Sequence, residues 1–112
     1  MSRYEIYETD RFLSDVEEAA VWILQSNVEQ SEKLALEKLS EFEQNIQSLK
    51  NRLQQFPESG ECDDISGLRK FPLYGGRYSA KWILSHAEKS ITLIALADSK
   101  HPQQLRGFSF DD

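Results

Sequence analysis

Six basic or imidazole-bearing residues in the second half of the chain are the strongest candidates for chemistry. They are Arg69, Lys70, Arg77, Lys81, Lys100 and His101, with Tyr78 directly after Arg77. Guanidinium and ammonium groups hold phosphate oxygens, an aromatic ring stacks on a base, and a histidine transfers protons near neutral pH. Lysine and arginine are also common where strand positions face water and protect an edge strand, so a solvent-exposed sheet face is the alternative interpretation.

A metal-independent ribonuclease would need such groups to converge on one phosphate, where they orient the 2′-hydroxyl and stabilise a pentavalent intermediate. The set for this reaction is Arg69, Arg77, Lys81 and His101. The set for binding a target or a protein partner is Arg69, Lys70, Arg77, Tyr78, Lys81 and Lys100. Sequence spacing does not decide between them, because both require only that the residues share one sheet face.

The other reactive residue types favour no cofactor and no metal ion. Cys62 is the single cysteine, which excludes an internal disulfide and a multi-cysteine zinc site. Its acidic neighbours in 61–64 disfavour the thiolate. His86 falls in a predicted turn, and neither it nor His101 has companions at metal-ligand spacing. The glycine pair 75–76 lacks the strand-to-helix context of a phosphate-binding loop and predicts a hairpin turn.

A short strand and two helices are predicted before these residues. Residues 3–8 alternate polar and apolar, and Thr9 is a good N-cap for a helix over 10–25. Ser26 followed by Glu29 predicts a capping box at the start of a second helix.

The second predicted helix ends before Pro57 and carries a seam of apolar residues at alternating four- and three-residue steps. The seam is Ala35, Leu39, Phe42, Ile46, Leu49, Leu53 and Phe56. Packing against the rest of the domain is the preferred interpretation, and an exposed coiled-coil dimer surface is the alternative.

Three further strands complete the pattern. Residues 67–73 predict an edge-like strand because Pro72 cannot donate to a central ladder, and 78–84 alternate as a second strand. Residues 91–97 are almost continuously apolar, as in a central strand buried on both faces. The prediction is one α+β domain over 1–112 of order β-α-α-β-β-β. Its helical hairpin packs on one face of a small, mainly antiparallel four-stranded sheet.

The net charge changes sign along the chain. Residues 1–67 hold 6 Lys+Arg against 15 Asp+Glu, a net of −9, whereas residues 68–106 hold 7 against 2, a net of +5. The segment 107–112 adds −2, which gives the total of −6. A basic sheet on an acidic protein predicts a negatively charged partner. No apolar run approaches the roughly 20 residues of a membrane span, and the N-terminus lacks a signal-peptide core, so a cytoplasmic protein without membrane contact is expected.

Over residues 3–102 the chain resembles the RelE/ParE superfamily of toxins from type II toxin–antitoxin systems. The resemblance rests on the strand and hairpin, and on 53–60, 68–71, 77–83 and 91–102 in that order. It implies that Arg69 matches the basic residue of the family's second strand. Arg77 and Tyr78 fall near a Tyr-Arg pair in reversed order, and Lys100 with His101 match basic or histidine positions after the last strand.

The resemblance implies one of two activities. RelE-like members cut messenger RNA on the ribosome, and ParE-like members lack that catalytic set, have longer hairpin helices and poison DNA gyrase. The net charge of −6, the long second helix and Asp98 at a commonly basic position favour the ParE-like branch. The expected partners are an acidic, amphipathic antitoxin tail on the basic sheet, in a toxin–antitoxin hetero-oligomer, and gyrase. The alternatives are a ribosome-dependent endoribonuclease and a non-toxic member that only binds an antitoxin.

Overall fold

The computed structural model describes residues 3–99, which form two helices and five strands. The helices are α1 (Asp10–Val28) and α2 (Glu32–Gln55). The strands are β1 (Glu5–Glu8), β2 (Glu61–Cys62), β3 (Arg69–Leu73), β4 (Tyr78–Ser85) and β5 (Ser90–Asp98). The predicted order β-α-α-β-β-β is confirmed, with β2 as one additional short strand.

The sheet has the order β1-β5-β4-β3-β2 and is mixed. β1 runs parallel to β5, and the other neighbouring pairs are antiparallel. The sheet therefore has five strands where four were predicted. β2 is two residues long, too short to produce an alternating pattern, and a turn closed by the Asp63 amide donating to the Leu68 carbonyl (2.8 Å) brings it beside β3.

The helical hairpin has the predicted first cap but a different second cap. Thr9 caps α1 by accepting a hydrogen bond from the Phe12 amide at 3.1 Å. The prediction of a capping box at Ser26 is wrong, because α1 continues through it to Val28. The Asn27 amide side chain donates within the helix to the Ile23 carbonyl, and Ser31 caps α2 instead.

The seam of α2 forms the core under the sheet. Ala35, Phe42, Ile46, Leu49 and Leu53 are buried, and Leu39 packs against them half-buried. Phe56 follows the last helical turn and is 62% exposed. The core interpretation of the seam is confirmed, because five seam residues are buried inside the domain and are not exposed as the coiled-coil alternative requires.

The middle strands present one face to the helices and one to solvent. Tyr78, Ala80 and Trp82 of β4 are buried among helix residues, as the alternation predicted. Because strand side chains alternate, Lys70, Ser79, Lys81 and Ile83 lie on the opposite face, here called the open face.

The edge of β5 beyond the end of β1 is covered by α1. The ladder between β4 and β5 shifts after Lys81, which leaves Ile94 as an extra residue of β5. The Thr9 hydroxyl donates to the Ile94 carbonyl at 3.1 Å, and the buried Asp15 carboxylate accepts from the Leu96 amide at 3.0 Å. These contacts satisfy backbone groups that a sixth strand would otherwise pair, and they fix α1 against the sheet.

Candidate functional site

Lys70 and Lys81 are the predicted site residues that the described structure brings side by side. They are directly opposite each other in the β3–β4 register, on the open face. Burial lowers the pKa of Lys81, the charge of Lys70 lowers it further, and the Asp63 carboxylate opposes both effects. Lys70 also lies 3.9 Å from Glu61 of β2. Like charges opposite each other cost stability in a sheet, so this pair is suited to an anionic partner.

Arg77 lies at the end of the Tyr74–Arg77 turn, where its half-buried side chain is held by Asp98 and Trp22. Its Nε and Nη2 atoms donate to the two carboxylate oxygens of Asp98 at 2.8 and 3.1 Å. Its guanidinium lies 3.8 Å from the centre of the Trp22 ring. The hydrogen bond with Asp98 raises the pKa of Arg77. The arginine therefore joins β5 to α1 through a charge-assisted bidentate pair and a cation–π contact.

Arg69 lies on the helix-facing side of β3, near the end of α2. Its Nη2 atom donates to the Glu58 carbonyl at 2.6 Å, and its Nε to the Ser59 carbonyl at 3.4 Å. Its side chain therefore fixes the loop that leaves α2. Arg69 and the pair Lys70–Lys81 point to opposite sides of the sheet.

Tyr78 lies in the core, where its ring contacts those of Phe42 and Tyr74. Burial raises the pKa of Tyr78, and the charge of Asp98 raises it further. Within residues 3–99 its hydroxyl has no hydrogen-bond partner. The predicted positions Lys100 and His101 lie outside the described residues.

A cleft of about 440 Å³ opens beside Arg77, at the end of the sheet where β5 finishes. Its lining includes Trp22, Asn27, Lys38, Tyr74, Arg77 and Ser99. The Ser99 amide and hydroxyl both bond the Arg77 carbonyl, each at 2.9 Å, which ties the end of β5 to the turn. The cleft combines the rings of Trp22 and Tyr74 with polar side chains, of which Lys38 lies 3.8 Å from the Glu41 carboxylate and Asn27 donates to the Ile23 carbonyl.

Sequence reasoning missed a second set of contacts, at the opposite end of the sheet. The ring nitrogens of His86 lie 2.6 Å from the Tyr4 hydroxyl and 2.8 Å from the Glu58 carboxylate. His86 lies in the turn that was predicted and is half exposed, but it also joins Tyr4, the residue before β1, to Glu58 in the loop after α2. These partners are 82 and 28 residues away in sequence, so local spacing carries no signal for them.

The described residues include neither a cluster suited to a metal ion nor a helix suited to crossing a membrane. Between residues 3 and 99 no cluster of three or more His, Cys, Asp or Glu side chains is placed to hold a metal ion. Neither α1 nor α2 is long and apolar enough to cross a membrane.

Comparison with solved structures identifies the fold. A chain of the chromosomal ParDE TA system from P. aeruginosa superposes with a TM-score of 0.58 at 19% identity, over 85% of this chain and 95% of that chain. A chain of the intact E. coli RelBE toxin-antitoxin complex superposes with a TM-score of 0.54 at 14% identity, over 86% and 96%. The sequence matches no protein-family model and no curated protein. The RelE/ParE-like fold that the sequence resemblance implied is confirmed.

Proposed function

We propose that this chain is the toxin of a type II toxin–antitoxin pair, of the ParE-like kind, which acts in the cytoplasm by binding DNA gyrase and is neutralised by a cognate antitoxin. The observation that carries the proposal is the fold, which covers nearly the whole length of chains from both the ParDE and the RelBE systems. The choice between a binding protein and an enzyme depends on the basic residues.

The two arginines of the catalytic set support a binding protein. Arg77 is paired with Asp98, and Arg69 is bonded to carbonyls of the loop after α2, on the other side of the sheet from Lys81. Phosphoryl transfer without a metal ion needs several cations within about 3 Å of the same phosphate. Arg69 and Lys81, on opposite faces of the sheet, do not meet this condition.

Lys70 and Lys81 are the proposed contacts for the antitoxin. They lie side by side on the open face, where an acidic segment could add electrostatic complementarity to apolar contact with Ile83, which is 48% exposed. The resulting complex would be a hetero-oligomer of toxin and antitoxin.

A ribosome-dependent endoribonuclease is the second candidate function. The lowered pKa of Lys81 favours it, because a lysine that deprotonates more easily is better suited to accept a proton from a 2′-hydroxyl. This candidate requires that Lys81 act with residues outside the described range, His101 among them.

Supercoiling by purified gyrase in excess protein tests the proposed target. We expect dose-dependent inhibition, relieved by the product of the adjacent open reading frame. In cells, induced expression should cause growth arrest with altered plasmid topology and intact transcripts. Normal supercoiling at saturating protein would refute the gyrase proposal.

A matched pair of variants separates the two functions. Lys81→Gln should abolish transcript cleavage if the chain is a ribonuclease, and should leave arrest intact if it is a gyrase inhibitor. Lys33→Gln removes the same charge from an exposed position in the first turn of α2 and serves as the control. Codon-phased transcript cuts that disappear in Lys81→Gln but persist in Lys33→Gln would show that the chain is a ribonuclease.

A further inference from the structure

Three side chains from distant parts of the chain form a hydrogen-bonded triad beside the turn that follows β4. The Tyr4 hydroxyl lies 2.6 Å from Nδ1 of His86, and Nε2 of His86 lies 2.8 Å from a carboxylate oxygen of Glu58. The rings of Tyr4 and His86 meet edge to face, with their centres 5.7 Å apart. A hydroxyl, an imidazole and a carboxylate in this order have the arrangement of a nucleophile, its general base and the group that orients the base.

The carboxylate of Glu58 decides where the protons of the triad lie when the imidazole is neutral. A carboxylate can only accept, so Nε2 of His86 carries the hydrogen and donates it to Glu58. Nδ1 then has a free lone pair and accepts from the Tyr4 hydroxyl. The phenol can therefore lose its proton to His86 while its oxygen attacks an electrophile.

Backbone contacts and packing hold the three members of the triad in place. The ring of Tyr4 packs against the hydrophobic core. The residue after Tyr4 donates its amide hydrogen to the Lys89 carbonyl at 3.0 Å, in the turn that carries His86. The Arg69 guanidinium donates to the Glu58 carbonyl at 2.6 Å, which fixes the third member. Reacting groups that the fold already positions lose little freedom when they react.

Tyr7 is the natural comparison, because it lies three residues away with a different partner. Its hydroxyl donates to the Glu5 carboxylate at 2.7 Å, and its side chain is 53% exposed. This hydrogen bond raises the pKa of Tyr7, and the charge of Glu5 raises it further. A carboxylate that stabilises the protonated phenol makes the tyrosine a poor nucleophile, whereas the imidazole beside Tyr4 is placed to take the proton away.

We propose that Tyr4 is a nucleophilic tyrosine that accepts an acyl group from a neutral activated ester, with His86 as its general base and Glu58 as the positioning residue. The Tyr4 oxygen bonds to the ester carbonyl carbon, the leaving oxygen departs with the electron pair of its bond to that carbon, and the phenolic proton passes to Nδ1 of His86. His86 then releases a proton to solvent.

The surroundings of the triad favour a neutral acyl donor over an anionic one. The side chains of His86 and Glu58 are 55% and 69% exposed, so a reagent in solution reaches them. The carboxylate of Glu58 is part of the triad, and Glu5 follows Tyr4 in the chain, so a phosphate donor would meet negative charge. The triad does not include Lys70, Lys81 or Arg77, and the proposal does not depend on the proposed toxin function.

Acetylation of the full chain by para-nitrophenyl acetate tests the proposal. The reagent is a neutral ester, its absorbance change reports release of para-nitrophenolate, and peptide mapping by mass spectrometry assigns the acetyl group to individual residues. We expect Tyr4 to be acetylated about tenfold or more faster than Tyr7 at neutral pH. His86→Gln should slow acetylation of Tyr4 about tenfold and leave that of Tyr7 unchanged.

Variants of the carboxylate separate a positioning role from a structural one. Glu58→Ala should slow acetylation of Tyr4 about as much as His86→Gln does, whereas Glu58→Gln keeps an oxygen that accepts from Nε2 and should retain most of the rate. Glu88→Gln removes a carboxylate from the exposed turn that carries His86 and is the matched control, with no change expected. Far-UV circular dichroism and urea midpoints check that each variant is folded.

The reaction has clear outcomes that would overturn the proposal. These are equal acetylation of Tyr4 and Tyr7, no acetylation of Tyr4, and a rate at Tyr4 that His86→Gln leaves unchanged. Release of para-nitrophenolate that persists in Tyr4→Phe and stops in His86→Gln would make the imidazole itself the nucleophile, and would also overturn the assignment to Tyr4.

Discussion

Replacing Arg77 by methionine should destabilise the fold mainly through the carboxylate that it leaves behind. The side chains of Arg77 and Asp98 are 15% and 9% exposed, so their pairing takes place largely out of water. Two unit charges about 4 Å apart interact by about 4 kcal/mol at an effective dielectric of about 20. Removing one partner of a buried pair costs about 3–5 kcal/mol. Because methionine keeps the packing against Trp22, we expect a loss of about 3 kcal/mol.

A double-mutant cycle isolates the pair. Asp98→Asn retains a hydrogen-bond acceptor and should cost about 2 kcal/mol, since it loses the charge but not the contact. The double variant Arg77→Met/Asp98→Asn should be scarcely less stable than the worse single variant, which gives a coupling of about 2 kcal/mol. Urea unfolding followed by tryptophan fluorescence and far-UV circular dichroism measures all four proteins.

The exposed pair Lys38–Glu41 supplies the matched control. Its atoms are 3.8 Å apart, and its side chains are 43% and 56% exposed. The cycle Lys38→Met with Glu41→Gln should show a coupling under about 0.5 kcal/mol. Additive losses in the Arg77–Asp98 cycle would refute the reasoning, because they would mean that the arginine is not held by the carboxylate in solution.

Four other substitutions test single features of the structure. Tyr78→Phe should leave stability unchanged or raise it by about 1 kcal/mol, since no described residue bonds the buried hydroxyl, and a measured loss would contradict this. Lys81→Met should raise stability at neutral pH. The pKa of Lys81 is lowered in the folded state, so the charged lysine destabilises the fold at neutral pH. The free energy of unfolding of the wild type should therefore rise towards that of Lys81→Met as the pH increases from the folded-state pKa to the unfolded-state pKa of the lysine. Urea unfolding of both proteins at pH 7 and pH 10 measures this difference. Gly60→Ala should lower the free energy of unfolding by about 2 kcal/mol or more, because φ is +85° there and the new Cβ would collide with the Lys70 carbonyl oxygen. Gly75→Ala is the control: φ is +66°, the new Cβ meets nothing within 4 Å, and the loss should be about 1 kcal/mol.

The helices and strands could be predicted because their apolar residues repeat at the period of the element. The α2 seam follows steps of four and three, and five of the seven residues that the pattern selected are buried. The start of α2 could not be placed, since Ser26 and Ser31 both have the chemistry of an N-cap. The Asn27 side chain, bonded to Ile23 inside α1, is part of what decides between them, and that contact is a property of the folded helix.

The candidate site was predicted as a set of residue types on one sheet face, but Arg69 lies on the opposite face from Lys70 and Lys81. Arg77 and Asp98 are 21 residues apart, and Asp15 reaches the Leu96 amide across 81 residues, so neither contact leaves a local pattern. The contact of Trp22 with Arg77 could not be predicted, because the sequence pattern of an amphipathic helix is the same whether its tryptophan stacks on an arginine or faces water. Strand alternation alone would have placed Arg69 and Lys70 on opposite faces, because they are neighbours in β3, but the prediction put both on the face that carries Lys81.

The contacts that the basic residues make within the structure bear on the kind of partner that the sheet can bind. The net charge of +5 over 68–106 suggested a surface for a polyanion, but within the described part of that segment Arg77 is neutralised by Asp98 and Arg69 bonds backbone carbonyls. Lys70 and Lys81 then supply the cations on the open face between residues 3 and 99, with Glu61 at 3.9 Å from Lys70. Proteins that bind nucleic acids tightly neutralise about 6–10 phosphates, and the salt dependence of their affinity follows that number. Two adjacent lysines beside an exposed isoleucine are fewer than that number, which supports the proposal that a short acidic and apolar protein segment binds there, with affinity from burial and register from charge.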